Sequence, residues 1–281
     1  MNGPLHTPPA AGATAVLSPV VRRVVARNPG PLTGAGTNTY LVGTGPVIVL
    51  DPGPADPVHI DAILAAAPGG IAQIVVTHTH SDHSPGAALL AARTGAAIVG
   101  RPTEPDEDMD RTFVPTRVPA DGECVRVPGA SLRAVYTPGH VGNHVCWLHE
   151  EERLLFTGDH ILGGVTTVII PPSGDMGDFL ASLAKLRALD AAAIAPGHGP
   201  VLDEPAVVID ALVAHRLARE AKVLAAVRGQ GAATLAELLP VVYDDVPVPM
   251  HRIARWSLWA HLIKLAREGR VREEAGHWLP A

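Results

Sequence analysis

Residues 78–83 read His-Thr-His-Ser-Asp-His and follow closely on the apolar run Ile74-Val75-Val76. Three imidazoles and a carboxylate at one strand end have little packing value. They are, however, the nitrogen and oxygen donors that Zn2+, Mn2+ or Fe2+ accept. At this chain's own His and Asp frequencies, H-x-H-x-D-H arises by chance in roughly 0.002 of sequences this long, which leaves a metal-free histidine cluster as the minor alternative. In an extended segment, residues i and i+2 project to the same side, so His78 and His80 point together and Thr79 away. Ser84 and Pro85 read as the N-cap and first residue of a helix running through Arg93. Asp82 and His83 then sit on a strand-to-helix loop, offset from the first pair, and one ion cannot easily use all four groups.

The 281 residues suit one large or two ordinary domains. The net charge of −6 and only three lysines (Lys185, Lys222 and Lys264) argue against a broad nucleic-acid-binding surface, though not against a local groove. Two cysteines, Cys124 and Cys146, form no staple pattern, so a reduced cytoplasmic protein is expected. Residues 1–15 are proline-rich, with neither a basic start nor a long apolar core. They read as a flexible tail rather than a signal peptide or membrane anchor.

Short apolar runs alternate with helical patterns up to about residue 203, which indicates an α/β domain over 16–203. Helices are expected at Pro57–Ala67, Pro85–Arg93 and Asp178–Leu189, with strands at Val47–Leu50, Ile74–Val76, Leu132–Tyr136, Leu154–Phe156 and Ala192–Ala195, among others. Residues 204–281 read differently. Helices over Pro205–Val227, Leu235–Val242 and His251–Glu268 precede a small hairpin, Val271–Glu273 with His277–Leu279, a winged-helix-like order.

Further polar groups follow strand runs: Thr137-Pro138-Gly139-His140, Gly158-Asp159, Pro196-Gly197-His198-Gly199 and Asp51-Pro52-Gly53. Ligands collect at strand ends in α/β architectures, and glycine lets backbone come close to an ion. A lone Pro-Gly-His or Gly-Asp would be ordinary. The ordered series H-x-H-x-D-H, T-P-G-H, G-D and P-G-H-G resembles that of the metallo-β-lactamase superfamily, over residues 28–203. The resemblance implies an αββα sandwich with a two-metal site. His78, His80 and His140 would hold one ion, Asp82, His83 and His198 the other, and Asp159 would bridge them. Asp82 and Asp159 are then the carboxylates of the catalytic centre, and Asp51 supports the ligand loops from behind.

A narrower likeness is carried by Asn28-Pro29-Gly30-Pro31, by Gly36-Thr37-Asn38-Thr39-Tyr40, by Ile161-Leu162-Gly163 and by His215-Arg216 with Arg219-Glu220. These resemble the lactamase-beta-like 2 family, whose C-terminal winged-helix-like domain the tail is similar to. That family includes a metal-dependent endoribonuclease on single-stranded RNA, and relatives that release polyketides from carrier proteins as thioesterases. Thr137-Pro138-Gly139-His140 followed by His144 also resembles glyoxalase II, a thioester hydrolase. His160 stands where a cysteine is familiar in the ribonucleases; His144 and His160 are the residues considered for substrate contact or proton donation.

The expectation is therefore a dinuclear hydrolase, with zinc first and Mn2+ or Fe2+ as alternatives, using a metal-bridging hydroxide made available near neutral pH. Single-stranded RNA is the first substrate, a thioester the second, and a small-molecule or RNA partner with a homodimeric assembly and no membrane association completes the picture. A mononuclear iron dioxygenase acting on persulfides, and a non-catalytic binding module, are disfavoured by the full second ligand set. From Pro205 on there are ten Lys/Arg and eight Asp/Glu, a balance of +2 against −8 for the rest. Arg252, Arg255, Lys264, Arg267 and Arg270, with Trp256 and Trp259, could track phosphates, or could be a solvated face over Leu258, Leu262 and Leu265. The second reading is favoured, because a module's fold does not fix its function.

Overall fold

The computed structural model describes residues 7–102 and 109–281; the first six residues of the expected tail lie outside them. The chain divides into two compact units, one of Met1–Thr137, Asn143–Thr166 and Asp190–Pro205, the other of Pro138–Gly142, Thr167–Leu189 and Ala206–Ala281.

In the first unit, β1 (Thr14–Val16), β2 (Val21–Val25), β3 (Asn38–Val42), β4 (Val47–Leu50), β5 (Ile71–Val75) and β6 (Ala97–Val99) form one sheet in that order. The pairs β4–β5 and β5–β6 are parallel. Parallel neighbours need crossovers, which α1 (Pro57–Ala66) and α2 (Gly86–Thr94) supply. Asp56 caps α1 by accepting from the Val58 amide, with Pro57 at its first position. A second sheet runs β7 (Cys124–Val127), β8 (Ala130–Tyr136), β9 (Val145–His149), β10 (Leu154–Gly158), β11 (Ala193–Pro196) and β12 (Leu202–Asp203), each beside the next. Val42, Ile48 and Leu50 share a core with Leu132, Trp147 and Phe156 of the second sheet. Leu41, Val49 and Ile74 pack oppositely, against Ile60, Ile63 and Leu90 of the helices. The first sheet is thus covered on both faces, which is why its central strands read as unbroken apolar runs.

Several local expectations shift. β1 pairs with β2 within the stretch expected to be a tail. Ser84 does not cap α2: Pro85 holds the cap position without a side-chain bond, and Ser84 Oγ donates to Asp110 Oδ2 at 2.7 Å. β5 ends at Val75, so His78 and His80 lie on an extended loop beyond the strand, where His80 bridges to Met109. β1, β7 and β12 were not expected; all three are at most four residues long, too short for a periodic signal.

The second unit holds α3 (Met176–Arg187), nearly all of α4 (Pro205–Gln230), α5 (Leu235–Val242), α6 (His251–Arg267) and the hairpin β13 (Val271–Glu274) with β14 (His277–Pro280). A reciprocal capping box between Thr234 and Glu237 starts α5. Val223, Val227, Leu238, Leu258, Leu262, Leu265 and Trp278 form its core, the helix–helix–wing order expected of the tail. Among the described residues no helix is long and apolar enough to cross a membrane.

Candidate metal centre

The ligand loops leave the ends of β5, β8, β10 and β11. Two groups of side chains could each hold an ion: His78, His80, His140 and Asp159 in one, and Asp82, His83 and His198 in the other, with donor atoms within 4.8 Å of one another in each. Every side chain expected as a ligand is in one of the two groups.

The ring nitrogens turned away from these groups are tied down. His83 Nδ1 donates to Asp51 Oδ2 at 2.9 Å, which leaves Nε2 facing Asp159 Oδ1 at 3.3 Å and Asp82 Oδ2 at 3.6 Å. His198 Nδ1 donates to the Gly36 carbonyl at 3.3 Å and presents Nε2 to Asp82 at 3.2 Å and Asp159 at 3.4 Å. His140 Nδ1 donates to the Val168 carbonyl at 2.8 Å. Thr77 Oγ1 donates to Asp51 Oδ2 at 2.7 Å, so it accepts from His78 Nδ1 at 2.9 Å. His78 Nε2 then meets His80 Nδ1 at 2.8 Å. Fixing one imidazole nitrogen as N–H makes the other a lone-pair donor, the outer arrangement that metal-binding histidines require.

The electrostatics agree. Burial alone would keep His83 and His198 neutral. The carboxylates of Asp82, Asp159 and Asp51 overcome that for His83 and hold its pKa well above the ordinary range. His198, against burial, is lifted to about 9 by Asp159 and Asp82. Asp82 is drawn down to about 2 despite burial, through His83 and His198, and Asp159 falls well below its usual value through His198 and His83. Burial, and then the neighbouring imidazoles, keep His78 neutral. The carboxylates call for positive charge at the point where the imidazole lone pairs converge, and divalent cations fit that donor set. Gly197 keeps the space open: a Cβ there would lie 2.6 Å from Asp159 Oδ1 and 2.8 Å from His83 Cε1.

Some supporting residues had no expected role. Thr37 Oγ1 donates to Asp82 Oδ2 at 3.2 Å, and Asn28 holds Thr37 through its amide. Asn38 Nδ2 donates to the carbonyls of Pro196 at 2.9 Å and Gly199 at 3.0 Å, and Tyr40 Oη to Pro196 at 2.8 Å, which anchors the His198 loop. Asn38 and Tyr40 stand inside the Gly36–Tyr40 stretch, so their presence was visible and their partners, some 160 positions away, were not. Thr77 and His59 carried no motif signal. His59 Nε2 bonds Thr39 Oγ1 at 2.9 Å, and Thr39 donates in turn to the Asp51 carbonyl at 2.6 Å. His144 and His160 are both fully buried; His144 Nδ1 meets Thr137 Oγ1 at 3.0 Å, and its ring lies 5.1 Å from that of His78.

Residues 32–198 match the family model described as Metallo-beta-lactamase superfamily, and residues 234–278 match Beta-lactamase associated winged helix domain. The chain is similar to the Beta-lactamase-like protein 2 homolog of Caenorhabditis elegans, 35% identical over 264 residues that cover 91% of this chain and 87% of that one. It is 34% identical to an atrochrysone carboxyl ACP thioesterase of Aspergillus novofumigatus, over 82% of this chain and 72% of that one. Among solved structures, a metallo-beta-lactamase family protein of Thermus thermophilus superposes with a TM-score of 0.78 at 25% identity, covering 95% of this chain and all of that one.

Proposed function

The chain belongs to the metallo-β-lactamase superfamily of metal-dependent hydrolases, and from that premise we propose that it hydrolyses thioesters. His78, His80 and His140 would hold one divalent ion and Asp82, His83 and His198 a second, with Asp159 shared and zinc the first expected metal. When bound, such ions supply Lewis acidity and a nucleophile at neutral pH.

The chain's own residues do the rest. Asp51 and Thr77 orient His83 and His78 from behind, and Thr37 orients Asp82. Side chains of Asp82 and Asp159 are 24% and 13% exposed, so the centre is not sealed from solvent on their side. His144 and His160 are fully enclosed, and we assign them to positioning rather than to proton donation. A thiolate leaves without protonation, whereas the alkoxide of a phosphodiester benefits from an acid, so a centre with its spare imidazoles buried suits the thioester.

The observation that carries the choice is the state of the tail's basic residues. Lys264 Nζ is 2.8 Å from Glu220 and also pairs with Glu268; Arg270 pairs with both, at 3.1 and 3.4 Å. Arg267 pairs with Asp175, and Arg255 stacks on Trp256 at 4.3 Å. Charges already met by carboxylates make a poor track for a polyanion. The thioesterase among the relatives supports the same reading.

The test assays metal-loaded protein on an acyl thioester and on a short single-stranded RNA. Thioester turnover unaffected by Arg252→Glu, Arg255→Glu and Arg267→Glu together, beside RNA cleavage at background, is expected. Salt-sensitive RNA cleavage that these substitutions weaken, without thioester turnover, would replace the thioester with RNA.

A further inference from the structure

Arg216 stands on α4 with its side chain buried, at 3% exposure. That is a costly place for a charge. Burial pushes its pKa down to about 10, and the other groups acting on it are Tyr243 and Arg219, with no carboxylate among the described residues to offset the cost. Filling the space alone would be done as well by an apolar side chain of similar volume. The guanidinium is worth keeping only for what it touches.

Two routes lead from it to the segment that carries His140. In the first, Arg216 Nη2 donates to the Thr167 carbonyl. The next carbonyl along, that of Val168, accepts from His140 Nδ1 at 2.8 Å and so decides which ring nitrogen is left for an ion. In the second, the guanidinium lies over the Phe179 ring of α3, 5.2 Å from its centroid. α3 and its cap grip the ligand segment in turn. Ser182 Oγ donates to the Pro138 carbonyl at 2.8 Å, and the Asp175 amide to the Gly139 carbonyl at 2.8 Å. Gly139, at φ 139°, lies so close that a Cβ would stand 2.3 Å from Phe179 Cα. Residues 138–142 and 167–189, and Arg216 itself, all belong to the second unit.

We propose that Arg216 is a positioning residue of the metal centre: from α4 it holds the Val168 carbonyl and α3 against residues 138–142, and so fixes the His140 ring with Nε2 as the lone-pair donor. The helical tail thereby serves the centre by holding one of its ligands. This rests on His78, His80 and His140 binding one ion.

The experiment titrates zinc against a chromophoric chelator and resolves the two equivalents in wild type, Arg216→Met, His140→Ala and the double variant. Arg216→Met should weaken one equivalent by about tenfold, the low end for loss of an outer partner, and leave the other unchanged. His140→Ala should weaken the same equivalent further, and adding Arg216→Met to it should change nothing more, because the arginine acts through His140. Thermal unfolding of the metal-free protein should keep its midpoint in Arg216→Met, since removal of a buried charge without a carboxylate offsets the lost bonds. Both affinities as in wild type, or an equal loss of affinity with and without His140, overturns the positioning role and leaves Arg216 a structural residue. A second readout needs no metal. In metal-free protein the His140 Nδ1–H should give a ring 15N–1H signal protected from exchange with water, and Arg216→Met should lose it. If wild type takes up no zinc, the metal reading fails and this signal decides alone: lost in the variant, it keeps the hold on His140; absent from wild type or kept in the variant, it removes it. Should Arg216→Met not fold, Arg216→Gln makes the same comparisons.

Discussion

Two places in this molecule bury ionisable groups, and they resolve the charge in opposite ways. Around Glu220, which is 4% exposed, the answer is internal: Lys264 and Arg270 reach its two oxygens, and His261 stands near. At the metal centre the carboxylates of Asp51, Asp82 and Asp159 are set among imidazoles, and the positive charge they call for would otherwise have to come from protons on His83 and His198. A buried charge met by Lys or Arg is finished structure. A buried charge met by lone-pair donors is a place for a cation from outside.

The contrast breaks most sharply at Asp159. Asp159→Ala should lower activity by at least about a hundredfold, above the range for loss of an outer partner, and reduce bound metal measured by elemental analysis toward one equivalent. Thermal stability of the metal-free protein should hardly fall; a collapse of the fold would mean that this carboxylate is structural, like Glu220. The converse variant, Glu220→Ala, removes the buried partner of Lys264 and Arg270 and leaves them Glu268 alone. Complete burial would cost about 3–5 kcal/mol; with both cations partly in water, about 2–3 kcal/mol is expected in denaturant unfolding, with metal content unchanged. Asp51→Asn should weaken metal affinity by about 10- to 100-fold, since His83 and Thr77 lose the anion that orients them. A competition titration with a chelator reads this directly.

Acid sharpens the same distinction. Glu220 has its pKa drawn from 4.5 to about 2 by His261 and Lys264, of which Lys264 is nearer, at 2.8 Å against 3.8 Å. A depressed carboxylate contributes stability above its unfolded value, and that contribution is lost as pH falls through the folded one. The stability difference between wild type and Glu220→Gln should thus be full above pH about 4.5 and vanish toward pH about 2. The smallest effect is expected at Lys222, an exposed partner of Asp244: Lys222→Ala should leave the unfolding midpoint unchanged within error.

What could be read in advance follows from how local each signal is. His78 to His83 stand in six consecutive positions, and His140, Asp159 and His198 each sit beside a glycine after an apolar run, so the donors were legible. So was the helical tail, whose α5 falls on the expected bounds because Thr234 and Glu237 mark its start. The supports were not legible. Nothing around Asn38 says that it holds a loop near residue 198, and nothing around His59 says that Thr39 lies against it. The partners of the basic residues at the end of α6 were hidden for the same reason: Lys264 and Arg270 find Glu220 on another helix, 44 and 50 positions back.

Gly197 adds a consequence of another kind. Its missing methyl leaves Asp159 and His83 as close as they are, so the residue acts as a spacer between two donors. Ions of different radius want donors at different separations: about 2.0–2.2 Å to oxygen and nitrogen for zinc, about 2.3–2.6 Å to oxygen for calcium. A side chain at position 197 would shift one of the two donors, and with it the separation that an ion meets.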